Sequence, residues 1–191
     1  MPSKTMTLDT TRRALEDLLL PPGTAATPIH LAASATDPGL SGLSAEQRGW
    51  VEAQGWSGNP GSVLLLPDGK GGLGGALLGT GGKDWCLQAP LLAGALPGAL
   101  PEGDYRFAAK LPDPELAAFG FLAGSYRFAR YKSADENKRR RLVLPEGADR
   151  EEVLALAEAL YLGRDLINTP ANDLGPAELE AAARELAGVF D

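Results

Sequence analysis

One stretch limits the possible folds more than any other. Asp113 suits a helix N-cap, Pro114 the first helical position and Glu115 the positive end of the helix dipole, so a helix is predicted from here to about residue 131. Its apolar residues do not form a stripe, because Leu116, Phe119, Phe121, Leu122, Tyr126 and Phe128 wrap the whole circumference. A helix that is apolar all round has to be covered on more than one side. The chain must therefore build layers around this helix, and Gly120 and Gly124, four residues apart, allow a neighbouring backbone to come close.

The flanking segments supply those layers. Residues 28–32 read as a strand, followed by a Gly/Ser/Pro-rich loop over 34–42. Ser44 with Gln47 matches a capping box, and Trp50, Val51 and Trp56 add apolar surface behind it. The apolar run 63–66 suggests a buried strand; Pro67-Asp68-Gly69 turns the chain and 73–78 returns, so 62–79 is predicted as a hairpin. Residues 85–96 suggest a short helix, 104–108 alternate like a half-buried strand, and 140–145 read as another strand. Asp149 with Glu152 forms a second capping box, opening a helix over 150–167 in which Val153, Leu156, Leu160 and Ile167 are spaced to share a buried face. An Asn/Pro turn over 168–173 leads to a last helix, 177–187, ending against Gly188. Near the start, residues 11–20 have helix-forming composition. Strands and helices alternate throughout and no internal repeat occurs, which predicts an α/β fold with a mixed or mostly parallel sheet flanked by helices.

At 191 residues the chain can bury a sizeable core without staples, and its 24 Gly and 15 Pro predict many turns. A net charge of −7 opposes the nucleic-acid backbone, making nucleic acid an unfavoured partner. Cys86 is the single cysteine, so neither an intramolecular disulfide nor a cysteine-based zinc site is expected, as suits a reducing compartment. No signal-peptide pattern opens the chain, and no window reaches the roughly 18 apolar residues of a membrane span. A cytoplasmic protein with no membrane partner is expected.

The run Gly163-Arg164-Asp165-Leu166-Ile167-Asn168-Thr169-Pro170-Ala171-Asn172-Asp173, inside the longer segment 149–179, resembles the connecting segment of leucyl (cytosol) aminopeptidases. Upstream, Gly61-Ser62-Val63-Leu64-Leu65-Leu66-Pro67 and Ser125-Tyr126-Arg127-Phe128-Ala129-Arg130-Tyr131 resemble the shorter N-terminal domain of a bacterial subset of that family. The resemblance implies an N-terminal α/β domain related in fold to macro domains (residues 1–147), then a long connecting helix, an Asn/Pro hinge and the first helix (148–191) leading into a catalytic domain that this chain lacks. It also implies cytosolic homohexamers, and a catalytic domain with two divalent metals, manganese or zinc, that acts on peptide substrates. Two such ions would polarise the scissile carbonyl and acidify a bound water. None of the family's metal ligands can be placed here, because Asn-Thr-Asp-Ala-Glu-Gly-Arg is absent. No cofactor is expected on this chain and no catalytic residue is assigned.

Other signals have a structural reading beside the functional one. Gly69, Gly71 and Gly74 fit G-x-G-x-x-G, and Gly69-Lys70-Gly71 imitates the family's lysine-bearing stretch, yet both lie in the predicted hairpin, where a nucleotide cradle would need a following helix. Lys138, Arg139, Arg140 and Arg141, with Arg127, Arg130 and Lys132 nearby, are the one basic patch. The resemblance allows DNA contact there; Asp135 and Glu136 interrupt the patch, favouring a solvated edge. His30, the single histidine, has no partner ligands in sequence and reads as part-buried structure. Asp165, Asn168, Asn172 and Asp173, with Pro170, crowd one turn; Asn and Asp bond their own backbone in turns, so Asn168, Pro170, Asn172 and Asp173 read as a structural hinge. The leading expectation is a catalytically silent piece of a metallo-aminopeptidase serving scaffold, assembly or access. The alternatives are a free-standing macro-like module for ADP-ribose or a related nucleotide, and a purely structural assembly domain.

Overall fold

The computed structural model describes residues 8–82, 90–131 and 139–190. Helix α1 (Leu8–Glu16) leads into the short strand β1 (Leu19–Leu20) and then β2 (Thr27–Ala32). Helix α2 (Ala45–Ala53) precedes the antiparallel pair β3 (Val63–Pro67) and β4 (Leu73–Gly79). A 3-10 segment, Pro90–Ala95, runs into the short α3 (Leu96–Ala99), β5 (Gly103–Phe107) and α4 (Pro114–Ser125). Strand β6 (Arg140–Val143), the long α5 (Arg150–Asn168) and α6 (Pro176–Phe190) complete the order. Among the described residues the strands form one sheet, β1-β6-β5-β2-β4-β3, with every neighbouring pair parallel except β3 with β4. This is the α/β class that alternation predicted.

Side chains alternate across a strand, and here they divide the core unequally. Ile29, Ala76, Leu78, Tyr105 and Leu142 point to a large cluster under α1, α4 and the first half of α5. Leu64, Leu66 and Leu77 point the other way, to a smaller cluster under α2 with Val51 and Trp56. Helix α4 is at the centre of the larger cluster, with Ala118, Phe121 and Leu122 excluded from solvent. Its other side rests on Pro90–Ala95, so α4 is covered on two sides as expected, although Leu116 and Phe119 are only part-buried and Tyr126 and Phe128 lie beyond the helix. The approach needs glycine: a Cβ on Gly124 would stand 2.1 Å from the Gly94 carbonyl oxygen, and one on Gly120 3.0 Å from that of Pro90.

Helix starts follow their caps. Ser44 and Gln47 make both bonds of the capping box, and Asp113 Oδ1 accepts from the Leu116 N–H at 2.9 Å. Asp149 caps α5 through the N–H groups of Glu151 and Glu152, but its own N–H donates to Glu115 Oε1 at 3.2 Å. The second box is thus completed from α4, not from Glu152.

Several expectations need correction. Helix α4 stops at Ser125, six residues early: Tyr126 leaves helical backbone angles (φ −56°, ψ 133°), and Arg127 Nη1 donates to the carbonyls of Gly124 and Tyr126. Helix α1 ends at Glu16; Leu19 and Leu20, counted as helix, instead pair with Leu142 and Val143 at the sheet edge. Strand β3 is an edge, with Leu65 exposed, and not a buried strand. That edge is blunted: Trp50 Nε1 donates to the Leu65 carbonyl and Gln47 Nε2 to that of Pro67, both at 3.1 Å, while Pro67 has no N–H to offer. The buried face of α5 is Val153, Leu154, Ala157 and Tyr161, whereas Leu156 and Ile167 are exposed. Helix α6 continues through Gly188 to Phe190. Residues 83–89, including Cys86 and the start of the helix expected over 85–96, lie outside the described residues.

Candidate functional site

Where α4 ends, the chain continues without helix or strand through residues 126–131, bending at 130–131, alongside the C-terminal half of α5. The carbonyls left unpaired at the end of α4 are taken up by side chains of α5: Tyr161 OH donates to the Leu122 carbonyl at 2.8 Å and Arg164 Nη1 to that of Ala123 at 2.7 Å. The Tyr126 ring stands edge-on to Tyr161, with centroids 5.0 Å apart, and the Arg164 guanidinium lies 5.3 Å from its centroid. Tyr126 OH donates to Asp165 Oδ1 at 2.7 Å and accepts from Asn168 Nδ2 at 3.1 Å. Burial pushes the Tyr126 phenol up to about 12; the Asn168 bond pulls the other way and Asp165 adds to the rise. Tyr126 is therefore a neutral donor at any physiological pH.

The turn after α5 is the densest group of candidate residues. Asn168 is the last residue of α5, and Thr169 Oγ1 donates back to the Asp165 carbonyl at 2.6 Å. The Pro170 carbonyl accepts the N–H groups of Asp173 and Leu174 at 2.9 and 3.0 Å, while Asn172 is exposed within the turn. Arg130 Nη1 donates to Thr169 Oγ1 at 3.3 Å, and Tyr131 OH donates to Asp173 Oδ2. That carboxylate raises the Tyr131 pKa. Asn168, Pro170 and Asp173 thus come together, joined by Tyr126, Arg130 and Tyr131. Sequence alone marks Tyr126, Arg130 and Tyr131 only as part of a family-like run, since pairing across 39 to 42 residues leaves no local signal.

The basic patch is distributed differently. Alternation along β6 sends Arg140 and Arg141 to opposite faces of the sheet. Arg141 grips Asp104 through Nε and Nη2 at 2.7 and 2.8 Å, Arg140 Nε donates to the Leu100 carbonyl at 2.5 Å, and Arg139 lies 3.5 Å from Asp17. Lys138 lies outside the described residues. Asp68 Oδ1 accepts the N–H groups of Lys70 and Gly72, both at 2.7 Å, closing the Gly69-Lys70-Gly71 stretch as a hairpin turn. His30 is half-buried in β2; burial, then the charge of Arg106, lowers its pKa.

Among the described residues, no three His, Cys, Asp or Glu side chains converge in a way that could hold a metal ion. The described residues therefore offer no group that fits a two-metal centre. A cavity at the C-terminal ends of β2, β4 and β5, where open α/β sheets bind ligands, is lined by Leu31, Leu78, Phe107, Leu111 and Asp113 among others. Asp113 is its one polar side chain, and that carboxylate already caps α4. Such a lining does not favour a nucleotide. No helix among the described residues is long and apolar enough to cross a membrane.

The body of this fold matches known proteins. A family model described as M17 aminopeptidase, N-terminal domain, matches residues 28–145. The chain belongs to the M17 aminopeptidases. That match falls on most of the sheet and on α4, outside the connecting run at 163–173, so the resemblance is borne out by the domain body. The chain is 41% identical over 107 residues to a probable cytosol aminopeptidase of Roseiflexus castenholzii, covering 45% of this chain and 22% of that protein. It is 33% identical over 186 residues to one from Streptomyces avermitilis, covering 81% and 36%. A crystal structure of the cytosol aminopeptidase from Coxiella burnetii superposes with a TM-score of 0.76 at 31% identity, covering 91% of this chain and 38% of that one. The chain thus spans well under half the length of these M17 relatives.

Proposed function

We propose that this chain is the N-terminal, non-catalytic part of a cytoplasmic M17 metallo-aminopeptidase. The body, residues 1–147, is the scaffold; residues 148–191 lead into a catalytic domain that would hold two divalent metals and act on peptides. Assembly into a hexamer belongs to the same reading.

One observation carries the reading. Helix α5 has two apolar faces: Val153, Leu154, Ala157 and Tyr161 are buried against the body, while Leu156 and Ile167 are exposed, with the part-buried Leu160 aligned between them at i+4. Ile167 is 84% exposed. Helix α6 repeats the pattern with Leu179 and Leu186, and is exposed along nearly all its described length. A lone helix of this size is marginal in water, so α6 with its stripe is built to pack on more protein. A catalytic domain downstream supplies that surface. The test is hydrolysis of leucine p-nitroanilide by the 191-residue chain with added manganese or zinc. No turnover is expected; metal-dependent turnover abolished by a chelator would refute the silent-scaffold reading.

A further inference from the structure

We propose that residues 126–131 act as a clamp that makes Asp165–Asp173 a rigid elbow, fixing the direction in which α6 leaves the domain. The sequence alone suggests a hinge, and a hinge would leave its polar side chains to solvent and its ends untethered. Here both ends are tied to one strap. Before the turn, Tyr126 OH bridges Asp165 and Asn168. Beyond it, Tyr131 OH reaches Asp173, and between them Arg130 reaches Thr169.

The strap is itself anchored at the end of α4, which Tyr161 and Arg164 of α5 cap through the Leu122 and Ala123 carbonyls. Phe128 packs against Tyr131 with ring centroids 5.8 Å apart, which limits where the Tyr131 hydroxyl can point. The turn is closed from within by the Asp173 and Leu174 N–H groups on the Pro170 carbonyl, and the Gly175 N–H donates to Glu178 Oε2 at the start of α6. Among the described elements none packs on α6 as closely as the helices of the body pack on one another, so the contacts at the elbow are the main constraint on where α6 starts. The clamp is a property of the 191-residue chain itself and needs no protein beyond α6. Its failure would leave the aminopeptidase reading untouched.

Pulsed electron-electron resonance between spin labels on Glu52→Cys in α2 and Ala177→Cys in the first turn of α6, next to the elbow and clear of the far end of the helix, in a Cys86→Ser background, tests it on the 191-residue protein. A single narrow distance distribution is expected. Tyr126→Phe combined with Asp173→Ala is expected to broaden it about twofold, as for a flexible linker, with the thermal midpoint and far-ultraviolet helicity little changed. Asp173→Asn, which keeps an acceptor for Tyr131, is expected to retain the narrow distribution. A broad distribution in the parent, no broadening in the double variant, or broadening seen only with loss of helicity and a lowered midpoint would each overturn the clamp.

Discussion

The body of the domain and its C-terminal arm contain similar apolar residues and treat them in opposite ways. In the body, Phe121, Leu122, Leu142 and Leu96 are fully buried, and Trp50, Leu65 and Leu91 are the exposed exceptions among its described leucines and tryptophans. In the arm, Leu156, Ile167, Leu179 and Leu186 are 43%, 84%, 50% and 37% exposed. Singly exposed leucines are ordinary, but two successive helices carrying outward stripes are not. Helix α5 makes the contrast within one element, since one face completes the core and another face is unused. A helix spaced for two partners and given one is what the proposed function would place at a domain junction.

The contrast breaks most sharply in the body. Phe121 is at the meeting point of the sheet, α4 and Pro90–Ala95, where the Gly94 and Gly124 backbones are already as close as they can be. Tightly apposed backbones cannot collapse into a cavity, so Phe121→Ala is expected to cost about 3–5 kcal/mol. Urea unfolding followed by far-ultraviolet circular dichroism reads this as a lower midpoint at unchanged slope. A loss below about 1 kcal/mol would mean that the body is no better packed than the arm.

Much of this was legible in the sequence. The capping residues Ser44, Asp113 and Asp149 marked three helix starts because their signal is local, a side-chain oxygen within three residues of the amide it satisfies. The covering of α4 was legible because no one-sided packing can hide an apolar circumference. What failed was set by partners far along the chain. Spacing showed that Val153, Leu156, Leu160 and Ile167 align, but not that Val153 turns inward beside Leu154 while Leu156 and Ile167 turn out. Leu19 and Leu20 look helical until β6 offers them a parallel edge. Nor could Asn168 and Asp173 announce Tyr126 and Tyr131 as partners, so the candidate hinge was located without its clamp.

A middle-sized effect is expected where arm and body join. Asp149 caps α5 through two N–H groups, and its own N–H is held by Glu115 of α4. Asp149→Ala is expected to cost about 1 kcal/mol in the same urea unfolding, while Asp149→Ser recovers most of it because a hydroxyl accepts the same bonds. Equal losses for both would show that the charge near the helix dipole, and not the cap geometry, holds the joint.

The smallest effect tests what the arm is for. Ile167 is so exposed that replacing it removes almost no buried surface, so Ile167→Ser in the 191-residue chain should shift unfolding by less than about 0.5 kcal/mol. In a chain that continues into a catalytic domain, the proposed function buries that side chain, and the same substitution should then cost about 1.5–3 kcal/mol. The measurement is the difference between the two urea-unfolding shifts. Equal small shifts would make Ile167 ordinary surface and leave the outward stripe of α5 without a partner. A large shift already in the 191-residue chain would mean that Ile167 is covered by contacts within this chain or by a second copy, which a dependence on protein concentration would separate.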